Sequence, residues 1–232
     1  MKILGILAKW LFILCLPFLL LTASIAWAAN GLWLYQYGFE KYNISQTTGL
    51  TDLELEKAAI GLIRYFNSGE EFINVIVVKD GKSFELFNQR EVFHLKDVKG
   101  LIRLDYWVLL GTLIYVVVYT GVSLIWRRCL YWRRLAWSVV GGSSLTLALM
   151  LALGLGALLN FDQLFLQFHL LSFTNELWQL DPTRDYLIML FPPGFWYDAF
   201  ILCALTIAGL ATALGVMAGL HLRFNKRTTT IN

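Results

Sequence analysis

Charge is scarce in this sequence and missing altogether from four of its stretches. Asp, Glu, Lys and Arg make up 15% of the 232 residues, and 58% of the chain is hydrophobic. An average soluble domain is roughly 25% charged, so the composition points to a membrane protein. The four uncharged stretches lie at about 10–29, 106–126, 135–159 and 198–220, with Asp198 marking the edge of the last. Each matches the roughly 20 residues that a helix needs to cross about 30 Å of hydrocarbon. Proton pumps, ion-coupled transporters and voltage sensors place ionisable groups inside their spans. Their absence here argues against all three. Cys15, Cys129 and Cys203 have no CxxC or CxxH partner, which argues against a cysteine zinc site and a disulfide framework. Neither HExxH nor G-x-S-x-G occurs, so the metalloprotease and serine-hydrolase signals are missing as well.

The charges that are present cluster at the ends of the apolar runs. Lys2 and Lys9 precede the first. Arg127, Arg128, Arg133 and Arg134 fill the loop 127–134, and Arg223, Lys226 and Arg227 follow the fourth. Four crossings put all three clusters on one side, which the positive-inside rule makes cytoplasmic. The termini, 1–9 and 221–232, are then inside. Residues 30–105 and 160–197 are extracytoplasmic. Ala26 and Ala28 offer an A-x-A-like cleavage site, but the apolar run before them is longer than a signal-peptide core. An uncleaved anchor is the expectation.

The first outer segment reads as a small α+β domain. Thr51-Asp52-Leu53-Glu54 is a capping box opening a helix with Leu55, Ala58, Ala59, Leu62 and Ile63 on its apolar face. Then FINVIVVK and KSFELF flank Asp80-Gly81, a hairpin signal. A helix from about Glu91 leads into the second span. In the second segment a helix is expected over about 162–173, then a polar turn, then a helix capped by Asp181 with Pro182 in its first turn. That helix should end before Pro192. Trp178, Phe195, Trp196 and Tyr197 fit an interfacial aromatic belt. Gly215 and Gly219 form a GxxxG step, expected to serve helix packing. Asn43-Ile44-Ser45 matches a glycosylation sequon, a pattern common by chance.

Chemistry falls to the histidines, of which the chain has 3. Glu91, His94 and Asp97 recur at a spacing of three and share a helix face, so a carboxylate can orient the ring and fix its tautomer. His169 sits among bulky apolar residues, where a lone histidine is more often packing than chemistry. His221 lies beside the basic tail and reads as a headgroup contact. Two outer histidines suit proton transfer at neutral pH. As metal ligands they would need Glu91, Asp97 or Asp181 as further donors.

REVFHLKDVKGL together with FHLLSFTNELWQLDPTRDYLIMLFPPGFWYDAF resembles the lipoprotein intramolecular transacylases, four-span bacterial membrane proteins. The likeness covers essentially the whole chain. It is densest at Glu91, His94, Asp97 and Val98, then at His169, Phe173, Asn175, Trp178, Leu180, Asp181, Pro182, Asp185, Leu187, Ile188 and Pro192. Pro193-Gly194 departs from it, standing where an acidic residue is expected. The resemblance implies transfer of the sn-2 acyl chain of a diacylglyceryl-cysteine to its α-amine, with His94 and His169 catalytic. It implies Glu91, Asp97, Asn175, Trp178, Asp181 and Asp185 as supporting residues. No cofactor, metal or nucleic acid is expected. The partners are the diacylated lipoprotein terminus and membrane lipids, and the protein is expected to be a monomer in the bacterial plasma membrane. Two other readings fit the composition: a non-catalytic lipid- or lipoprotein-binding protein, and a metal-dependent lipid hydrolase.

Overall fold

The structure is a computed structural model that describes residues 2–125 and 130–228, with side chains for 3–125 and 132–224. Arg127, Arg128 and Cys129 lie outside the described residues, as do the side chains of Lys2, Lys226 and Arg227. The elements in chain order are α1 (Lys2–Asn30), α2 (Leu32–Lys41), α3 (Ile44–Thr48), α4 (Asp52–Asn67), β1 (Ile76–Lys79) and β2 (Lys82–Glu85). Then follow α5 (Gln89–Ile125), α6 (Leu130–Ser172), α7 (Tyr186–Leu190) and α8 (Pro193–Thr228). Four of them, α1, α5, α6 and α8, are long and apolar enough to cross a membrane.

Two of these helices are longer than a crossing requires. The 37 residues of α5 span about 55 Å at 1.5 Å per residue, against roughly 30 Å of hydrocarbon. The surplus is its first part, 89–105, which carries Arg90, Glu91, Lys96, Asp97, Lys99, Arg103 and Asp105. In α6 the backbone leaves helical geometry at Asn160 (φ −161°, ψ 89°). The Asn160 Oδ1 accepts from the Gln163 amide at 3.0 Å, so asparagine acts as an internal N-cap and restarts the helix for 161–172. That restart is the helix expected over 162–173.

By contact the chain divides into two compact units. The first comprises Met1–Ile25, Tyr106–Leu155 and Leu202–Asn232. Its buried centre is Leu16, Leu20, Ile207 and Ala211, with Leu147, Met150 and Leu214 packed against it. In lipid such packing rests on close fit rather than on the hydrophobic effect. Gly142 provides that fit: a Cβ there would meet Leu16 Cδ2 at 2.8 Å. Of the GxxxG pair, Gly215 approaches the Ser143 side chain, but Gly219 faces open space. The close approach is therefore made by 141–142 rather than by the expected step. His221 packs beside Trp132, 5.5 Å between ring centroids.

The second unit comprises Ala26–Asp105 and Gly156–Ile201. Thr51 Oγ1 accepts from Glu54 N at 3.4 Å, which caps α4. Only half of the capping box forms, because the Glu54 carboxylate accepts from Val78 N on β1 at 2.9 Å instead. Leu55, Ala58, Ala59, Leu62 and Tyr65 are the buried face of α4. Gly61 leaves room for Val75, whose Cγ2 would lie 2.6 Å from a Cβ. The antiparallel hairpin pairs Ile76 with Glu85 and Val77 with Phe84. Its turn residues, Asp80 and Gly81, both take positive φ (52° and 75°), as a two-residue type I′ turn demands. Lys99 is buried over the Tyr65 ring and donates to Glu70 O at 2.7 Å, tying the end of α4 to α5. At the start of α8, Asp198 Oδ2 accepts from Lys41 Nζ at 2.6 Å and from the Tyr42 hydroxyl at 2.8 Å.

The segment after α6 differs from expectation. Asp181 caps no helix: its Oδ1 accepts from Thr183 N and Thr183 Oγ1, closing a short turn around Pro182. The helix begins later, at Tyr186, with Asp185 as N-cap residue. An aspartate can bond its own backbone two residues on, and here that local turn wins over helix initiation. Pro193 opens α8 in the first-turn position that proline tolerates, which brings Phe195, Trp196 and Tyr197 into the helix.

Candidate active site

The first residues of α5 lock its start. Asn88 N donates to Glu91 Oε2 at 2.7 Å, and Glu91 N donates to Asn88 Oδ1 at 3.1 Å. This reciprocal pair satisfies two orphan helix donors at once. The other Glu91 oxygen accepts from Leu187 N, in the first turn of α7, at 2.6 Å. One fully buried carboxylate thus caps two helices. Burial pushes the Glu91 carboxyl above its usual range, and the Leu187 and Asn88 amides pull it back. Asn88 Nδ2 donates to Asp185 Oδ1 at 2.8 Å, and Asp185 Oδ2 accepts from Asp181 N at 2.7 Å. The turn 181–185 is held to the start of α5 by these bonds.

One helical turn beyond Glu91 stands His94, buried at 7% exposure, with no hydrogen-bond partner for Nδ1. Burial, and then the nearby His169, push its pKa down to about 4, with Asp97 acting in the opposite sense. His169, 8% exposed, comes from the restarted part of α6. Its Nδ1 lies 2.8 Å from the carbonyl of Phe165, one turn earlier. A carbonyl can only accept, so Nδ1 carries the proton and Nε2 keeps its lone pair. Burial lowers the His169 pKa, and the bond to Phe165 opposes that shift.

The two imidazoles stand 6.4 Å apart between centroids with 28° between planes. Direct hydrogen bonding needs less separation, while one reacting group between them fits. Phe173 closes one side, 5.1 Å from His94 and 5.7 Å from His169. Phe165 and Phe168 meet His169 edge to face at 4.4 Å and 5.3 Å. Trp178 packs on the His169 ring at 4.9 Å. The strap that carries Trp178 is anchored to α5: Arg90 donates to Glu176 O at 2.6 Å, and Asn175 Nδ2 donates to Asp97 Oδ2 at 2.8 Å. A cleft of about 330 Å³ is lined by Asn88, Gln89, Arg90, Arg184 and Asp185 and includes neither histidine.

Two expectations change at this site. Glu91 and Asp97 do share a face with His94, but neither orients its ring: Glu91 holds backbone amides and Asp97 holds Asn175. Trp178, expected both in the aromatic belt and as a supporting residue, packs on His169. Asp181 shapes a turn rather than a helix start. Sequence reasoning also missed Asn88, Arg90 and Phe165. Asn88-Gln-Arg-Glu91 does carry the N-x-x-E signature of a capped helix start, whereas a backbone carbonyl such as that of Phe165 leaves no signal. Among the described residues no three His, Cys, Asp or Glu side chains stand where one metal ion could be held.

Four helices long and apolar enough to cross a membrane define a multi-pass membrane protein, and two of them carry a buried pair of histidines. The model of the family described as lipoprotein intramolecular transacylase Lit matches residues 10–196, and the chain belongs to that family. The solved structure of the membrane-integral lipoprotein intramolecular transacylase Lit from Bacillus cereus has the same fold. It superposes with a TM-score of 0.78 over 100% of both chains at 22% identity. A form of that protein with a histidine replaced by alanine superposes with a TM-score of 0.76 at 21% identity, covering 97% of each chain. An uncharacterized protein from Aquifex aeolicus (strain VF5) is 30% identical over 156 residues, which span 65% of this chain and 64% of that protein.

Proposed function

We propose that this protein moves the sn-2 acyl chain of a diacylglyceryl-cysteine onto the α-amino group of the same lipoprotein, using His169 as base and His94 as donor. The observation that carries the reading is the pair of imidazoles at 6.4 Å, with His169 Nδ1 committed to the Phe165 carbonyl. Family membership supports the same reading.

The α-ammonium of a peptide terminus has a pKa of about 8, so at neutral pH it must lose a proton before it attacks. His169 Nε2, neutral and fixed in tautomer, accepts that proton. The amine then attacks the sn-2 ester carbonyl, and negative charge develops on its oxygen. His94 stays neutral at about pH 7 because burial holds its pKa near 4, so it serves as a hydrogen-bond donor to that oxyanion. A neutral imidazole in this part follows the general pattern of environment-tuned acid/base pairs. When the intermediate collapses, the C–O bond to glycerol breaks, the His169 imidazolium returns its proton to the leaving oxygen, and the second proton of the attacking nitrogen leaves to water, so the amide forms with one net proton released. The products are an amide and a free glyceryl hydroxyl on one molecule. Both reacting groups belong to one substrate, so holding its headgroup bent supplies much of the rate. No enzyme nucleophile is needed.

The same reading puts the termini in the cytoplasm and the histidines on the outer side, from the basic clusters alone. Single cysteines at Ser45 and Thr229 test this with a thiol probe excluded from the cytoplasm. Ser45→Cys should label in intact cells and Thr229→Cys only after lysis. The reverse pattern overturns the orientation. The test of the reaction itself is mass spectrometry of a reporter lipopeptide expressed in a host without N-acylating enzymes. A mass-neutral product with an N-linked acyl chain is expected, and an unchanged substrate contradicts the reading.

Burial of His94 also predicts a pH dependence of stability. Its folded pKa lies below the unfolded value of 6.5, so the unfolded chain takes up the proton first. This group therefore costs nothing above about pH 6.5 and destabilises the fold increasingly as pH falls from there towards about 4. The melting temperature in detergent should drop across that interval. His94→Gln, which cannot titrate, should flatten the drop.

A further inference from the structure

His169 lacks the carboxylate partner that usually steadies a catalytic imidazolium. No Asp or Glu forms an ion pair with it among the described residues. The titratable group beside it is His94, across the 6.4 Å gap, and a positive charge there would repel rather than steady. Asp97 acts on His94, and its Oδ2 is occupied by Asn175. On the strap, Glu176 is exposed, and Asp181 Oδ1 is engaged by Thr183. What touches His169 is the Phe165 carbonyl on Nδ1 and a set of rings.

Among those rings Trp178 is placed differently. Phe165 and Phe168 stand nearly perpendicular to the imidazole, at 78° and 84°. Trp178 is tilted by only 38° to it, centroid to centroid 4.9 Å. That lies inside the roughly 6 Å within which a cation is attracted to an aromatic face, and indole is the strongest of the aromatic partners. The strap that holds Trp178 there is tied to α5 through its backbone: Arg90 takes the carbonyls of Glu176 and Leu177, and Asn175 Oδ1 caps the Leu177 amide at 3.0 Å. The two residues before Trp178 are thus fixed by these bonds.

We infer that Trp178 is a positioning residue for the acyl transfer, whose indole face stabilises the His169 imidazolium formed when Nε2 takes the proton from the substrate amine. This rests on the transacylase reading for its role in turnover, but not for its electrostatics. The step is a proton transfer alone: the ammonium N–H bond breaks, an Nε2–H bond forms, and the charge moves from substrate to ring. An aromatic face suits this site better than a carboxylate would. A carboxylate would bind the substrate ammonium itself and hold it charged, whereas the indole favours the cation without accepting its proton.

The test uses the full chain in detergent, with ¹⁵N-labelled histidine. With 3 histidines in the chain, His169 is assigned by the signal lost in His169→Asn. Fluorinated tryptophans are incorporated at position 178 alone, which drains the ring quadrupole while leaving size and burial almost unchanged. The midpoint of the His169 titration should fall stepwise with each added fluorine, by about half to one pH unit over the series. A merely structural tryptophan predicts a flat series, and a flat or rising one overturns the inference. Turnover of a diacyl lipopeptide by the wild type is measured separately. If that fails while the titration series still falls, the transacylase reading is lost and the indole–imidazolium contact stands.

Discussion

Replacing His94 or His169 with alanine should lower the rate of N-acyl lipopeptide formation by about a thousandfold or more, and the double replacement should cost little beyond either single one. Proton transfer by a positioned side chain is worth about 10²–10⁴-fold, and removal of an oxyanion donor about 10²–10³-fold. Members of a unit that acts together are strongly non-additive. In the proposed mechanism these two act as a unit, one reacting group meeting both rings, which stand 6.4 Å apart. His221→Ala should retain activity, since that ring packs against Trp132 in the other compact unit. Asp97→Ala and Asp181→Ala should give partial losses, the first by freeing Asn175 and the second by loosening the turn before α7. The check is a time course by mass spectrometry at equal amounts of folded protein. Full activity in a well-folded His169→Ala variant sinks the mechanism, and inhibition of the wild type by a chelator favours metal chemistry.

Glu91→Ala should be the most destabilising single substitution in this region and should remove activity with it. Glu91 is fully buried, and its carboxylate holds the amides of Asn88 and Leu187. The Leu187 amide is buried, and such a donor left without a partner costs about 1–3 kcal/mol; the Asn88 amide is only partly buried, and losing its cap adds about 0.5–2 kcal/mol. The helix carrying His94 and the short α7 would lose their common cap together. Glu91→Gln should fall between: its amide oxygen can serve one N–H, while its NH₂ opposes the other. Thermal unfolding in detergent reads this order directly. Equal melting temperatures for the alanine variant and the wild type would remove the double cap from the account.

Long-range physics made much of this legible in the sequence. Uncharged runs of about 20 residues have few alternatives to crossing a bilayer, and α1, α5, α6 and α8 are the helices they became. Thr51 and Asp80-Gly81 carried local signals strong enough to place α4 and the hairpin turn. The two histidines were legible because a resemblance joined them; their burial among aromatic rings had no counterpart in spacing. Glu91 shows where sequence reasoning stopped. Its spacing from His94 suggested a ring-orienting carboxylate, but amides at the start of two helices offered it stronger partners. Trp178 shows the same limit from another side. A tryptophan near an apolar run fits an interfacial belt, and its contact with His169 appears only once the bond from Arg90 to the Glu176 carbonyl ties the strap to α5. Such choices depend on contacts between residues about 90 positions apart, which no local pattern records.

The most direct test of the central claim follows one acyl chain. A synthetic diacyl lipopeptide carries a deuterated chain at sn-2 and an unlabelled chain at sn-1, and is mixed with the purified protein in detergent. Tandem mass spectrometry should find the deuterated chain on the α-nitrogen of the cysteine, the unlabelled chain still on the glyceryl unit, and total mass unchanged. The same product at any dilution of substrate shows that the transfer stays within one molecule. Deuterated chain released as free fatty acid, or found on a second peptide, would contradict intramolecular transfer at the His94–His169 pair.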